Sequence, residues 1–510
     1  MDKTLKVLIV AGESAPFIKS GGLGDVVGSL PKALRAKGVD VRVVIPRHRA
    51  IKNETMYGVE FVGEFDVHLQ WRKQPAKILV KNGDVPVYFI ENDYYFGRGG
   101  LYGYNDDDER FAFFSKAALD MLAMLDFYPD VIHCNDWQTG PLCMYLKEVY
   151  RYMMPYSKIK TLYTIHNLQY QGRFSPDTLN MMGLPGWTWH NVEFYNSVSF
   201  MKMGLVYSDY ISTVSETYAY EIQTPEYGYG MEGILRSRAD RLKGIVNGID
   251  YVANNPATDK HIVKHFDAEH PEGKAENKRA LQERLGLEQR DVPVIGMITR
   301  LADQKGIDIF ANVVDEMMRR DVQFVLLGTG EASYEYLFRA MEASYPGRVS
   351  ANIFFDESLA QQIYASSDLF LMPSKFEPCG LGQMFSLRFG TVPIVRKTGG
   401  LADTIQHYDP ETKEGNGFLF EHYDSWGLMW AIDEALKTYH MGKEEWIHVV
   451  KNAMNCDYSW ESSADKYIAL YEQLKNEIRK IMNARSKSGV SFLRKSVSAD
   501  LQISPFCSMI

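Results

Sequence analysis

The stretch PSKFEPCGLGQMFSLRFGTVPIVRKTGGLAD, residues 373–403, predicts the carboxyl edge of a parallel sheet. An apolar run over Leu369 to Met372 precedes it and is typical of a buried strand. One acid, Glu377, follows where that strand ends. Gly380-Leu381-Gly382 then leads into an apolar-periodic segment, and the free backbone N–H groups at the start of that helix are placed to face an anion.

The same pattern of strand, glycine turn and helix occurs twice more. A short strand over Thr391 to Val395 runs into Thr398-Gly399-Gly400, and two such turns side by side are suited to a diphosphate. At the amino end, a strand over Leu5 to Val10 is followed by KSGGLGD at residues 19–25 and an apolar-periodic segment. This arrangement is typical of the first βαβ unit of an α/β domain.

The composition is that of a globular chain. The protein has 510 residues, of which 45% are hydrophobic and 24% charged, which is enough for about two or three domains. A formal net charge of −9 argues against nucleic acid or an anionic membrane as a partner. The five cysteines are scattered without a CxxC spacing, so neither a disulfide framework nor a zinc site is predicted. The amino terminus shows no signal-peptide pattern, and we expect a cytoplasmic protein.

Two series of alternating strands and helices divide the chain. The first extends through a strand predicted over Ser208 to Val214, and an antiparallel hairpin is inserted into it between Val59 and Ile90. The pattern pauses near Gly244 to Asp250 and resumes with a strand over Val292 to Thr299. We therefore predict an α/β fold of two doubly wound, Rossmann-like domains facing a central cleft. The predicted units are residues 1–248, residues 249–485 with the terminal helices packing back on the first domain, and a flexible tail over 486–510.

Three basic residues flank the glycine turns. Gly21-Gly22-Leu23-Gly24 lacks the GxGxxG spacing of dinucleotide sites, so no nicotinamide cofactor is predicted. From the residues alone, Lys19 is interpreted equally well as a cation held against phosphate and as a surface lysine on a turn. The same two interpretations apply to Arg300 and Lys305, with a slight preference for phosphate because both flank the first strand-to-helix turn of the second domain.

Five motifs, taken in their order along the chain, resemble those of a known family. They are KSGGLGDVVGSLP at 19–31, HNLQYQG at 166–172, TRLADQKG at 299–306, FEPCGLGQ at 376–383 and KTGGLAD at 397–403. In their order and spacing, from Leu5 to Leu474, the sequence resembles the bacterial glycogen synthase and plant starch synthase family. The resemblance implies a retaining glycosyltransferase of the GT-B fold that extends α-1,4-glucan from a nucleotide-activated glucose.

The resemblance also implies a donor site without metal or cofactor. Lys19 would contact the donor phosphates across the cleft, while Arg300 and Lys305 would neutralise the departing nucleoside diphosphate. Glu377 would lie beside the glucosyl ring. Residues of the three glycine turns would complete donor binding, namely Gly21, Gly22, Gly380, Leu381, Gly382, Thr398 and Gly399.

Further roles are implied for residues at strand ends. His166 would lie near the anomeric carbon and stabilise positive charge there, whereas a histidine at a strand end is more often a structural hydrogen-bonding group. Asp25, Asp136 and Asn247 would bind sugar hydroxyls. Phe355 would stack on the nucleotide base, and the alternative is a core phenylalanine at the end of a strand.

An acidic run at Asp106-Asp107-Asp108 contains a DxD sequence, which in a different glycosyltransferase fold binds metal. It does not follow an apolar strand, so a solvated acidic loop is predicted instead. We also expect this region to border the acceptor groove, with stacking faces from nearby aromatic residues, namely Tyr94, Tyr95, Phe96, Tyr102 and Tyr104.

The leading hypothesis is transfer of glucose from ADP-glucose to the non-reducing end of an α-1,4-glucan with retention of configuration. The alternatives are a UDP-glucose-dependent glucan synthase, a transferase acting on a small acceptor such as a sugar phosphate, and an inactive glucan-binding homologue. The presence of Lys19, His166, Arg300, Lys305 and Glu377 argues against the inactive homologue.

Overall fold

The computed structural model describes residues 4–487, with side chains described through residue 477. The tail predicted over 486–510 lies outside the described residues except for its first two positions. Over residues 4–487, no helix is both long enough and apolar enough to cross a membrane. The predicted α/β class is confirmed, because two mainly parallel sheets are each flanked by helices.

The first domain contains two sheets. Its strands are β1 (Lys6–Val10), β2 (Asp40–Pro46), β3 (Val59–Leu69), β4 (Arg72–Lys81), β5 (Val87–Glu91), β6 (Val131–Asn135), β7 (Lys160–Ile165), β8 (Arg173–Phe174), β9 (Glu193–Phe194), β10 (Ser197–Ser199), β11 (Tyr210–Thr213) and β12 (Leu242–Gly244). The large sheet has nine strands in the order β12-β11-β7-β6-β1-β2-β5-β4-β3. β1 pairs in parallel with β2 and β6, and all but its first residue are buried, as an apolar run at the centre of a covered parallel sheet predicts.

The inserted hairpin is confirmed as an antiparallel extension of this sheet. β4 pairs antiparallel with both β3 and β5, while β5 returns to pair in parallel with β2. A second insertion was not predicted from the sequence. Between β7 and β11, the three-stranded antiparallel sheet β8-β10-β9 forms from strands of two or three residues, which are too short to show a period of two.

The helices of the first domain cover the large sheet and connect to the loops at its carboxyl edge. They are α1 (Gly22–Ala36), α2 (Asp93–Phe96), α3 (Asp107–Met124), α4 (Gly140–Glu148), α5 (Thr178–Met181), α6 (Trp189–Val192), α7 (Phe200–Tyr207), α8 (Glu216–Glu221) and α9 (Glu232–Ser237). α1 runs directly out of the first glycine turn, and its apolar stripe of Leu23, Val26, Val27, Leu30 and Leu34 is buried.

The second domain has one parallel sheet of six strands in the order β15-β14-β13-β16-β17-β18. These strands are β13 (Val294–Ile298), β14 (Gln323–Leu327), β15 (Val349–Asn352), β16 (Leu369–Met372), β17 (Val392–Arg396) and β18 (Phe418–Phe420). The flanking helices are α10 (Gly273–Arg284), α11 (Ile307–Ala311), α12 (Val314–Met318), α13 (Ala332–Ser344), α14 (Glu357–Ser366), α15 (Gly382–Arg388), α16 (Gly399–Thr404), α17 (Ser425–His440), α18 (Lys443–Met454) and α19 (Trp460–Lys487).

The last helix, α19, returns to the first domain. Its apolar residues, including Tyr467, Leu470 and Leu474, belong to the same buried cluster as β1 and α1. The hydroxyl of Tyr471 lies 2.8 Å from His133 Nδ1 on β6. The chain therefore crosses between the domains twice, and the cleft is bordered by the carboxyl edges of both sheets.

Candidate active site

The glycine turns of the two domains face each other. A Cβ atom built on Gly22 would lie 4.0 Å from Leu381 Cδ1 of the second domain. Gly21 and Gly22 are exposed at the start of α1, and Leu381 precedes α15. The Gly21–Gly24 turn of the first domain and the Gly380–Gly382 turn of the second therefore form opposite walls of one cleft.

Lys305 and Glu377 meet at the floor of this cleft. Lys305 Nζ lies 2.6 Å from Glu377 Oε2, and Ser374 Oγ donates to the same oxygen at 3.0 Å. Only 7% of Glu377 is exposed, and the lysine side chain is also largely buried. β13 and β16 are adjacent parallel strands, so the turns that follow their carboxyl ends bring the two charges together. The pairing of these two predicted residues is a direct consequence of the sheet order.

The backbone around this ion pair leaves no space for larger residues. Gly306 has a φ of +72°, and a Cβ there would lie 1.9 Å from the Pro373 carbonyl oxygen. Gly399 has a φ of +45°, and its Cβ would lie 2.0 Å from the Glu377 carbonyl oxygen. Both positions therefore require glycine, because a side chain would collide with the main chain that carries Glu377.

The amide groups beside Glu377 are available to a ligand. Within the described part of the chain, the N–H groups of Gly380 and Leu381 donate to no protein acceptor. The guanidinium of Arg300 likewise has no ion-pair partner among residues 4–487, and its side chain is exposed. Unpaired N–H groups and a free cation around Lys305 make this wall suitable for a polyanion.

His166 and Asp136 are brought together on the first domain. The backbone N–H of His166 donates to Asp136 Oδ1 at 2.7 Å, and His166 Nε2 lies 2.9 Å from Asn135 Oδ1. The Asn135 amide nitrogen donates to two carbonyls, so its Oδ1 accepts and His166 carries its proton on Nε2. Burial lowers the pKa of His166 to about 3, so the ring is neutral at pH 7.

Asp136 occupies an unusual backbone conformation for a non-glycine residue, with a φ of +56°. Burial raises its pKa to about 7, opposed by the backbone N–H groups of His166 and Asn167 and assisted by the charge of Glu13. An acid with a strained backbone and a raised pKa beside a neutral histidine is typical of a functional site.

Glu13 is a site residue that the sequence analysis missed. Its Oε2 accepts from the N–H and the hydroxyl of Ser20 at 3.1 and 2.6 Å, and its Oε1 accepts from the N–H of Gly24 at 3.1 Å. The Tyr102 hydroxyl completes the set at 3.2 Å. Glu13 therefore holds the first glycine turn in shape. The available signal was its position as an acid between β1 and a glycine turn, the same placement that drew attention to Glu377.

The remaining predicted side chains differ in their surroundings. Lys19 and Asp25 are partly exposed and pair with each other at 2.9 Å. Asn247 is 5% exposed, and its Oδ1 is buried without a partner among the described residues. Phe355 is 86% exposed, so the alternative of a core phenylalanine is wrong and its ring is free to contact a ligand.

Thr398 and Gly399 are engaged by the first domain. Glu221 Oε1 accepts from Thr398 Oγ1 at 2.9 Å and from the N–H of Gly399 at 3.0 Å. The structure therefore places a carboxylate at the turn where the sequence predicted a phosphate contact, and the donors of this turn are occupied from across the domain interface.

An aromatic groove of about 710 Å³ opens on the first domain beside the segment that follows His166. It is lined by Tyr102, Tyr104, Trp137, Gln169, Tyr170, Gln171, Arg173, Phe174, Phe194, Tyr195 and Tyr229, among others. Tyr102 and Tyr104 are thus placed as stacking faces. The prediction is wrong for Tyr95 and Phe96, which are fully buried in the core.

The prediction of a solvated acidic loop at residues 106–108 is also wrong. Asp107 starts α3 and forms a buried ion pair with Arg110, whose side chain has no exposed surface. Asp106 binds Arg98 through both carboxylate oxygens, and Asp108 accepts from the Thr178 hydroxyl. Over residues 4–487, no cluster of three or more potential ligands is arranged to hold a metal ion. These acids are structural because a side-chain partner neutralises or satisfies each of them.

Comparisons with known proteins agree with this architecture. Residues 6–237 match the starch synthase catalytic domain family, and residues 279–451 match the glycosyl transferases group 1 family. A glycogen synthase from Desulforudis audaxviator is 50% identical over 94% of this chain and 98% of its own length. A glycogen synthase from Thermotoga petrophila is 48% identical over 92% of this chain and 99% of its own.

Solved structures are similar over the same range. The catalytic domain of starch synthase IV from Arabidopsis thaliana, bound to ADP and acarbose, has a TM-score of 0.87 and 35% identity and covers 93% of this chain and 100% of its own. Sucrose-phosphate synthase from Thermosynechococcus elongatus, with a TM-score of 0.58 and 17% identity, shares the fold. The facing two-domain cleft and these similarities lead to one conclusion: the chain belongs to the glycogen synthase and starch synthase family of GT-B glucosyltransferases.

Proposed function

We propose that the protein transfers glucose from ADP-glucose to the non-reducing end of an α-1,4-glucan with retention of configuration. The observation that carries this proposal is the largely buried Lys305–Glu377 pair at 2.6 Å, held beside Gly306 and Gly399. A lysine ammonium has three donors, so Lys305 can keep its bond to Glu377 while it reaches a phosphate oxygen.

Departure of the nucleoside diphosphate is assisted by preorganised positive charge. As the bond from the glucosyl C1 to the phosphate oxygen breaks, negative charge develops on the diphosphate. Arg300, Lys305 and the N–H groups of Gly380 and Leu381 would stabilise this charge. Lys19, Gly21 and Gly22 would approach the same phosphates from the opposite wall.

Positive charge that develops on the sugar would be stabilised by His166 and Glu377. His166 is neutral, so it adds no like charge beside the anomeric carbon, and its unprotonated Nδ1 is an acceptor. Glu377 adds a carboxylate on the sugar's side. The new bond forms between C1 and the 4-hydroxyl oxygen of the glucan, and the hydroxyl proton leaves with the diphosphate.

Binding of the sugar and of the acceptor would use the neighbouring polar and aromatic groups. The unpartnered Oδ1 of Asn247 is suited to a donor hydroxyl, because a buried acceptor without a partner is costly unless a ligand satisfies it. Asp136 and Asp25 would take further sugar hydroxyls, and the exposed ring of Phe355 would stack on the base. The aromatic groove next to His166 would hold the glucan.

The choice of ADP-glucose over UDP-glucose is supported by the similar Arabidopsis starch synthase IV structure, which contains ADP. Steady-state rates with each donor and a glycogen primer test it, with the Glu377→Ala variant as the control for background transfer. We expect kcat/KM for ADP-glucose to exceed that for UDP-glucose by about tenfold or more, which corresponds to about 1.4 kcal/mol of transition-state discrimination. Equal values, or a preference for UDP-glucose, would reject the proposed donor.

A further inference from the structure

Two short helices from different domains bind each other's ends. α8 of the first domain begins after Ser215, and α16 of the second begins after Thr398. Near the start of α8, the N–H and hydroxyl of Thr217 donate to Asp403 in the last turn of α16. At the other end, Glu221 in the last turn of α8 accepts from Thr398 and Gly399 at the start of α16. The helices therefore run antiparallel, and each supplies a carboxylate to the other's amino terminus.

The physical effect of this arrangement is to join the domains at fixed points. A carboxylate at a helix amino terminus satisfies unpaired N–H groups and interacts favourably with the helix dipole. A third contact lies beside the pair, because Ser215 Oγ donates to the Pro378 carbonyl oxygen at 2.5 Å. Pro378 directly follows Glu377 in the chain.

The start of α16 also bears directly on the main chain of Glu377. The N–H of Gly400 donates to the Glu377 carbonyl oxygen at 3.0 Å. Gly399 packs so closely that a Cβ would lie 2.0 Å from that oxygen. A displacement of Thr398 or Gly399 is therefore transmitted to Glu377, whose carboxylate must reach Lys305.

We propose that Glu221 is a positioning residue for glucosyl transfer, which acts from the first domain to hold the Thr398–Gly400 turn and thereby places Glu377 against Lys305. Contact between the domains at α8 and α16 would then be a condition for a correctly placed Glu377. The inference rests on the proposed role of Glu377. Glu221 itself is not placed in contact with the reacting atoms.

The form of the contact predicts how substitutions behave. Both bonds to Glu221 converge on one oxygen, Oε1, while Oε2 is buried without a partner in the described part of the chain. An amide oxygen at the same place can accept both bonds. Glu221→Gln should therefore retain the positioning function, whereas Glu221→Ala should lose it.

The experiment compares Glu221→Ala, Glu221→Gln and Glu216→Ala in the full-length protein. Glu216 is the matched control, since it is an exposed glutamate on the same helix that pairs with Lys466 on α19 at 3.9 Å. The readouts are kcat and KM for ADP-glucose with a glycogen primer, and calorimetric binding of ADP. For Glu221→Ala we expect kcat to fall between about tenfold and a hundredfold, as misplacement of a catalytic group does, with ADP affinity within about threefold of wild type.

Glu221→Gln is expected to recover kcat to within about threefold of wild type, and Glu216→Ala to leave it unchanged. Wild-type kcat in Glu221→Ala, or an equal loss in Glu221→Gln, would overturn the inference. A parallel fall in ADP affinity would also overturn it, because it would indicate a general loss of the donor site. Glu377→Ala in the same assay separates the two proposals: if that variant keeps full activity, both the proposed site and this inference fail, and if it loses activity while Glu221→Ala does not, only the inference fails.

Discussion

At the scale of single residues, the candidate site combines a buried pair of charged side chains with hydrogen-bond donors that face the cleft. Lys305 and Glu377 are largely shielded from water and paired with each other, while Arg300 and the N–H groups of Gly380 and Leu381 have no such partner among the described residues. An ion pair in such a position contributes little to stability on balance, because desolvation offsets the Coulomb attraction. Its presence is better explained by function than by folding.

Removal of either member of the pair should sharply lower turnover. We expect Lys305→Ala and Glu377→Ala each to lower kcat by about a hundredfold to a thousandfold, in line with about 3–4 kcal/mol for one preorganised charge-stabilising group. Turnover is measured with ADP-glucose and glycogen. The control is Lys437→Ala, which removes an exposed lysine of α17 and should leave kcat unchanged. Near-normal turnover in both site variants would contradict their assignment.

At the scale of elements, one buried histidine on β6 links the large sheet of the first domain to the terminal helix α19. His133 lies 2.8 Å from the Tyr471 hydroxyl on α19 through Nδ1 and contacts Thr164 on β7 through Nε2. Burial lowers the pKa of His133 to about 3, with a small contribution from His166. The neutral ring therefore links the crossover helix to the first domain.

This histidine should make stability depend on pH. The unfolded chain binds a proton at His133 near pH 6.5, whereas the folded chain does so only near pH 3, so the unfolded state binds more protons between these values. Folding stability should therefore fall as the pH decreases below about 6.5. In urea denaturation between pH 7.5 and 5, we expect His133→Gln to reduce this pH slope by up to about 1.4 kcal/mol per pH unit relative to wild type.

Comparison of wild type with the His133→Gln variant isolates the contribution of His133 to the pH dependence of stability. His48, with a pKa lowered by burial to about 4, and Asp136, with a raised pKa, titrate in both proteins and largely cancel in the comparison. An identical slope in wild type and variant would show that His133 becomes protonated in the folded state at ordinary pH. Such a result would contradict its neutral, buried role.

At the scale of the whole molecule, the cleft and the aromatic groove are built from segments far apart in the chain. Tyr102, Tyr170, Tyr195 and Tyr229 come from four different loops of the first domain. The ring of Tyr229 also packs edge-to-face against Phe376, the neighbour of Glu377, with the ring centroids 6.1 Å apart. The groove therefore reaches the wall of the second domain that carries Phe376 and Glu377.

The groove predicts a selective effect on the acceptor. Tyr170 and Tyr195 are 50% and 70% exposed at its rim, and we expect Tyr170→Ala and Tyr195→Ala to raise the KM for glucan by about twofold to tenfold, since an aromatic contact contributes about 0.5–1.5 kcal/mol. KM for ADP-glucose should not change. Tyr152→Ala removes an exposed tyrosine outside the groove and is the matched control. Unaltered glucan kinetics in both groove variants would argue that the acceptor binds elsewhere.

Much of the fold and part of the site were predictable because they follow from local pattern. Apolar runs marked β1, β7, β14 and β16, and the glycine turns after β1 and β16 marked the carboxyl edge where ligands bind. The Lys305–Glu377 pair follows from the same rule once β13 and β16 are neighbours. Glu13 was also within reach, since it has the same placement as Glu377.

Other residues could not be assigned without the structure. Asp107 and Tyr95 look like surface groups in sequence, but Arg110 and Glu109 bind them inside the core. Glu221 stands in a short polar segment with no motif, and its role depends on a helix almost 180 residues further along the chain. The burial of the Asp107–Arg110 pair and the partner of Glu221 are set by tertiary packing, which periodicity does not report.

The amino-acid sequence by itself determined the α/β class, the glycine turns and the charged residues at strand ends, because strand periodicity, backbone freedom and charge are local properties. The tertiary structure alone decided which of these groups meet: Lys305 with Glu377, His166 with Asp136, and Glu221 with the start of α16. The physical reason is that burial and pairing depend on the order of the strands and on the packing of one domain against the other. Glu377 is an acid at the end of a strand in the sequence and becomes a buried partner of Lys305 only in the folded molecule.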